Sequence, residues 1–224
     1  MRPELIVMLT HYDQTVPNAI EMFESMKDLP VKHWGFKDVG LPHDQMKKLV
    51  GKMKDAGKTT YLEIVSLSEQ EGLSGARLAV EAGFDILMGT VFFDSINDFL
   101  KGKPIKYYPF AGKVYSHPSI LEGSIEEIVD HARFLQSKGA QGLDLLTYRY
   151  TGDARTLLKE AVKASAIPIV SAGSIASFSR IAEVWEANAW GFTIGSAFFE
   201  KKFLPDGSFE QNLMAVWEWL GKSE

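Results

Sequence analysis

Short apolar runs alternate along this chain with longer amphipathic segments, and the alternation is regular from end to end. The runs are residues 5–10, 33–37, 60–65, 86–90, 105–110, 142–147, 167–171 and 191–194. Their length and continuity predict parallel strands covered on both faces. The segments between them have helical period. Segment 16–29 carries Ile20, Phe23 and Met26 on one side, and segment 43–56 carries Met46, Leu49, Val50 and Met53, closed by Gly57. Ser124-Ile125-Glu126-Glu127 reads as a capping box, opening a helix that runs to about Lys138 with Gly139 beyond its end. Segments 153–165, 178–187 and 209–220 complete the set. Segment 69–82 is also helical in pattern, although Gly72 and Gly75 weaken its start, and 95–100 is short.

Strand–helix alternation repeated eight times predicts an α/β fold with a parallel sheet. With no long linker or low-complexity stretch, the expected architecture is a single (β/α)8 TIM barrel domain over residues 1–224. An open doubly wound sheet is the competing topology. It would need a Gly-rich turn after the first strand, and Thr10-His11-Tyr12-Asp13-Gln14 contains no glycine.

Composition narrows the function classes. The 46% of hydrophobic residues supply a sizeable core, and a net charge of -5 argues against nucleic acid or an acidic membrane surface as partner. No apolar stretch has the length of a bilayer span, and Met1-Arg2-Pro3-Glu4 opens no secretory signal. The chain has no cysteine, which excludes disulfides and thiolate metal sites and fits a cytoplasmic protein. His33, His43, His117 and His131 lack ligand spacing, so neither a metal nor a cofactor is expected. Trp217-Glu218-Trp219-Leu220 would pack the last helix on the barrel, and its aromatics could also serve a homodimer contact.

The strongest local signal lies near the C-terminus. Strand seven runs into Ser171-Ala172-Gly173-Ser174-Ile175, and strand eight into Ile194-Gly195-Ser196-Ala197-Phe198-Phe199. Gly173 and Gly195 let backbone approach a ligand and take positive φ if required, while Ser174 and Ser196 add hydroxyl donors. Peptide N–H groups around 173–175 and 195–197, with a short helix starting at Ser196, would make an anion site. A barrel's phosphate site commonly lies after strands seven and eight. The expected ligand is therefore a phosphorylated small molecule. Neither turn contains Arg or Lys, so backbone groups would supply the donors.

These two turns resemble those of the ribulose-phosphate-binding barrel superfamily, and most of all the N-acetylmannosamine-6-phosphate epimerases. The likeness is detailed from residue 139 to about 200, where 142–151 matches that family's sixth strand and its Thr/Tyr-bearing loop. Over the rest of the chain it is a likeness of architecture. It implies a phosphorylated ligand. The epimerases' catalytic Lys at the end of strand three and Glu on strand seven are absent here, where the chain reads Tyr61-Leu62-Glu63-Ile64-Val65 and Ser171-Ala172. The Asp-x-Lys-x-x-Asp pattern of the decarboxylase branch and the metal ligands of pentose-phosphate epimerases are missing too. No specific reaction carries over.

Barrel chemistry draws on residues at strand C-termini. Lys37, Glu63 and Asp144 stand within or at the end of apolar runs, where a charge is costly unless paired. They are the candidate catalytic residues, suited to proton transfer at a carbon next to a carbonyl. A plain Lys37–Glu63 ion pair joining neighbouring strands is the structural alternative. Strand parity leaves either Lys37 or Asp38 facing inward, and the small Gly35 favours Lys37. Thr10, Thr90 and Ser171 are expected to meet substrate at the same mouth, and Arg149 to pair a second anionic group. His11, Asp13 and Lys113 are weaker candidates in loops. Two functions remain compatible with this pattern. One is an isomerase, epimerase or lyase of a phosphorylated metabolite such as a sugar phosphate. The other is a non-catalytic phospho-ligand barrel acting as a sensor or regulator.

Overall fold

The computed structural model describes residues 1–116 and 118–222, so His117 lies outside the described residues. All eight apolar runs form parallel strands. They are β1 (Glu4–Met8), β2 (His33–Lys37), β3 (Thr59–Ile64), β4 (Ile86–Gly89), β5 (Lys106–Tyr108), β6 (Leu143–Leu145), β7 (Ile169–Ser171) and β8 (Gly191–Ile194). Their hydrogen-bonded order is β6-β7-β8-β1-β2-β3-β4-β5. The two outer strands then meet. Phe110 and Asp144 form a parallel bridge, the Ala111 N–H donates to the Asp144 carbonyl at 3.0 Å, and the Asp144 N–H donates to the Pro109 carbonyl at 3.0 Å. The sheet is thus a barrel whose shortest seam lies between β5 and β6. Pro109, with no N–H to give, helps end β5 early.

The helices are α1 (Ala19–Met26), α2 (His43–Asp55), α3 (Glu69–Ala82), α4 (Asp94–Leu100), α5 (Ile125–Ser137), α6 (Ala154–Ala164), α7 (Phe178–Glu186), α8 (Ser196–Phe199) and α9 (Phe209–Lys222). The capping box at Ser124 is complete. Its hydroxyl accepts from the Glu127 N–H at 3.2 Å, and its own N–H donates to Glu127 Oε2 at 2.7 Å. Gly72 and Gly75 do not break α3, because their missing side chains let it lie against Ile96 and Ile64. At the C-terminal end Trp219 packs on Phe178 and Trp185, and the Arg2 guanidinium lies over Trp217.

Strand alternation sorts the core into two layers. Leu5, Val7 and Leu9 face the helices, whereas Ile6 and Met8 turn inward to pack with Tyr61, Ile86, Met88, Tyr108 and Val170. Gly35 shares this crowded interior. A Cβ there would lie 2.8 Å from both Met8 Sδ and Tyr61 Cβ. Inward parity at β2 therefore belongs to His33, Gly35 and Lys37, and Asp38 turns to an outer groove beside Val65.

Two small antiparallel hairpins were not expected. Thr10–His11 pairs with Gln14–Thr15 after β1, and Lys113–Tyr115 pairs with Ile120–Glu122 after β5. The first turns through Tyr12 and Asp13, both left-handed at φ 50 and 58. Such turns normally announce themselves by Asn or Gly, and this one has neither.

Candidate functional site

A cavity of about 600 Å3 opens at the C-terminal end of the strands. Its size suits a small-molecule ligand. The inward rows of β2 and β3 end here in Lys37 and Glu63, which are register partners. Lys37 Nζ lies 3.1 Å from Glu63 Oε1 and 2.8 Å from Asp13 Oδ1, and all three side chains are about nine-tenths buried. Asp13 also accepts from Arg149, at 3.1 Å from Nη2 and 3.3 Å from Nη1. Thr15 fixes the end of β2 from the same hairpin. Its hydroxyl accepts from the Lys37 N–H at 2.9 Å and donates to the Lys37 carbonyl at 2.7 Å. Asp13 thus ties the first loop to β2 and to the loop after β6.

Electrostatics follow from this packing. Burial alone would raise Asp13, but the Lys37 charge and hydrogen bond, with those of Arg149, hold its carboxyl at about 2. Burial would lower Lys37, yet Glu63 and Asp13 outweigh it and keep the ammonium more basic than usual. Asp144 is the opposite case. It is fully buried, and among the described residues neither carboxyl oxygen has a well-aligned hydrogen-bond partner. Burial, then the nearby Glu63 charge, push its pKa well above the usual carboxylate range. Lys37, the adjacent Gly89 peptide and Arg149 pull weakly the other way. Burial of this kind favours the neutral form of the acid. Asp38, buried against the outer groove, is raised to about 6.

The turns after β7 and β8 line one side of the cavity with Gly173, Ser174, Ile175, Gly195, Ser196 and Ala197. Gly173 takes φ +80 and Ser174 takes φ 57. A Cβ on Gly173 would lie 2.9 Å from Arg149 Cγ, so the glycine makes room for that side chain as well as for ligand. Gly195 does not take positive φ; its φ is −127. Its lack of a side chain serves close packing, since a Cβ would lie 2.8 Å from the Thr10 carbonyl. The peptide N–H groups of 173–175 and 195–197 have no protein acceptor among the described residues. The helix behind Ser196 has only four residues, so little macrodipole reaches the site and the individual N–H groups matter most.

Not all expected contacts converge. Thr10 lines the cavity with a buried hydroxyl that has no partner among the described residues, and Arg149 lines it too. Thr90 and Ser171 do not. Thr90 follows Gly89 in the left-handed region, and its hydroxyl turns outward to Tyr107 at 2.6 Å. Ser171 follows inward-facing Val170, so parity points it outward, where it donates to Thr147 Oγ1 at 2.8 Å. Lys113 sits exposed on the second hairpin, away from the cavity lining. Asp144 lies beneath the cavity and does not line it.

Two residues gain weight that the sequence did not give them. Asp13 is central, although its turn carries no sequence signal. Arg180, in the first turn of α7, brings a cation to the cradle from outside both turns. Its Nη1 donates to the Ser174 carbonyl, its guanidinium lies over Tyr148, and it lines the cavity. The spacing Ser174 to Arg180, one turn into a helix capped by Ser177, was the available clue.

No protein-family model matches the chain, and no curated protein matches it. Solved structures share its fold at low identity. Orotidine 5′-phosphate decarboxylase from Pyrococcus horikoshii OT3 superposes with TM-score 0.71 at 14% identity, covering 97% of this chain and 99% of that one. The tryptophan synthase alpha chain from Legionella pneumophila subsp. pneumophila gives 0.69 at 14%, covering 99% and 92%. N-acetylmannosamine-6-phosphate 2-epimerase from Clostridium perfringens gives 0.64 at 11%, covering 97% and 93%. What these structures share with the chain is the (β/α)8 barrel fold.

Proposed function

We propose that this barrel is an enzyme that binds a phosphorylated small molecule, such as a sugar phosphate, and moves a proton at a carbon next to a carbonyl. That makes it an isomerase, epimerase or lyase. One observation carries the reading: a buried Lys37–Glu63 pair lines the same cavity as two turns whose peptide N–H groups have no protein acceptor among the described residues. The N–H groups of Ser174, Ile175, Ser196 and Ala197 would hold the phosphate, with Arg180 beside them. Glu63 would take the proton as the C–H bond breaks. Lys37, kept charged by its two carboxylate partners, would stabilise the enolate oxygen that forms. Asp144 would not be the base, because it is fully buried and does not line the cavity. It acts through its electrostatic contact with Glu63.

A phosphate-binding regulator is the second reading, favoured by the absence of the epimerases' Lys and Glu at strands three and seven. Titration of inorganic phosphate, followed by amide NMR, tests the part common to both. The amides of 174–175 and 196–197 should shift most, and shifts confined to other surfaces would refute the cradle. Incubation with sugar phosphates in deuterated water separates the two. An enzyme incorporates deuterium at the carbon next to the carbonyl and Glu63→Gln abolishes it, whereas a regulator binds without exchange.

A further inference from the structure

We infer that the mouth of the cavity carries a stacking platform for a planar heteroaromatic ring on the phosphorylated ligand, with Tyr12 as its open face. The inference rests on the phosphate reading above and narrows it from phosphorylated metabolites in general to nucleotide-like ones.

Tyr12 lines the cavity and is 78% exposed. One face is covered: the His11 ring stacks on it at 3.9 Å between centroids and 25° between planes. His11 in turn stacks on Phe199 at 5.0 Å and 15°, and Phe199 packs on Phe209 at 4.7 Å. The result is a stack of three near-parallel rings, Tyr12, His11 and Phe199, backed by Phe209 of α9 tilted at 60°, with the outer face of Tyr12 exposed.

An exposed ring leaves apolar surface in water, and a left-handed backbone is unfavourable for a bulky residue. Tyr12 has both at once, and its packing repays neither: among the described residues the one ring it stacks on is its neighbour His11. The stack behind it does hold the ring still, so a ligand would lose little entropy in using it.

Position supplies the second argument. The Thr10 carbonyl lies against Gly195, and His11 lies against Phe199, so the column abuts the cradle turn after β8. Tyr12 and the turn 195–197 line one cavity, so a single ligand with an anion at one end and a planar ring at the other can meet both. A nucleoside monophosphate carries both groups.

The test compares adenosine 5′-monophosphate, adenosine, ribose 5-phosphate and inorganic phosphate by calorimetric titration of wild type, Tyr12→Ala and Tyr12→Phe. The expected result is that adenosine 5′-monophosphate binds roughly tenfold tighter than ribose 5-phosphate, in line with base–aromatic stacking. Tyr12→Ala should erase that difference without weakening inorganic phosphate, and Tyr12→Phe should retain it. Equal binding of the two phosphates to wild type, or an unchanged ratio in Tyr12→Ala, would overturn the platform and leave the phosphate reading intact. Binding of adenosine through Tyr12 with no binding of inorganic phosphate would uphold the platform and remove the cradle. Binding of no probe would reject both. Loss of self-association in Tyr12→Ala without any ligand effect would assign the ring to a subunit contact and overturn the proposal.

Discussion

At the scale of the residue, two buried carboxyls respond to pH with opposite sign. Asp13 is held at about 2 in the fold, below its unfolded value near 4. Its contribution to stability is therefore present above about pH 4 and lost as pH falls towards 2. Asp13→Asn should be less stable than wild type at neutral pH, and thermal melts should show the gap closing below about pH 3. Asp144 is raised in the fold, so folding takes up a proton wherever the unfolded chain is ionised. Its burial becomes more costly as pH rises from about 4. Asp144→Asn keeps the shape and removes that cost. This variant should be more stable than wild type at pH 7 and match it near pH 4, even if activity falls. Equal melting temperatures at pH 7 would show that Asp144 is ionised in the fold. Lys37→Met leaves Asp13 and Glu63 buried with one less partner. It should cost about 3–5 kcal/mol, read as a lower denaturant midpoint.

At the scale of the element, the loops that build the site are pinned by backbone packing. Gly195 is the clearest case. A methyl there meets the Thr10 carbonyl at 2.8 Å and Met8 Cβ at 3.3 Å, so the end of β8 and the end of β1 cannot both keep their places. Gly195→Ala should lose about 1–3 kcal/mol of stability. The binding loss of any larger residue at 195 must therefore be judged beside a melting curve. The capping box acts on one helix only. Ser124→Ala removes the acceptor for the Glu127 N–H and should cost about 1 kcal/mol by chemical denaturation. It should leave phosphate binding unchanged, because α5 contributes nothing to the cavity lining.

At the scale of the whole molecule, the barrel is evenly wound but unevenly closed. β2 and β3 share five paired residues, whereas β5 and β6 meet through the single Phe110–Asp144 bridge and a few flanking hydrogen bonds. Local opening follows the least supported backbone bonds. Amide hydrogen exchange should find the Ala111 and Asp144 N–H groups exchanging faster than those of Phe36 and Leu62. Equal protection across both seams would show that side-chain packing, and not strand pairing, holds the barrel shut. The seam also bears on chemistry. Asp144 lies on it, so opening there would admit water to a carboxyl that the closed barrel buries completely.

The sequence by itself determined the architecture, because burial on both faces imposes an apolar run on every strand and amphipathic period on every helix. Eight such units leave one economical closure. It also marked the cradle turns and the inward facing of Lys37, since Gly35 signals crowding that a larger residue would break. A place at the end of a strand did not by itself decide which side chains reach the mouth. Thr90, twisted by positive φ, and Ser171, on the outer parity of β7, both turn away from the mouth. Only the tertiary structure could bring Asp13 to Lys37, 24 residues away, and to Arg149, 136 residues away. No local propensity encodes such contacts. The raised pKa of Asp144 belongs to the same class, because desolvation is a property of everything that surrounds a side chain and of no single position in the chain.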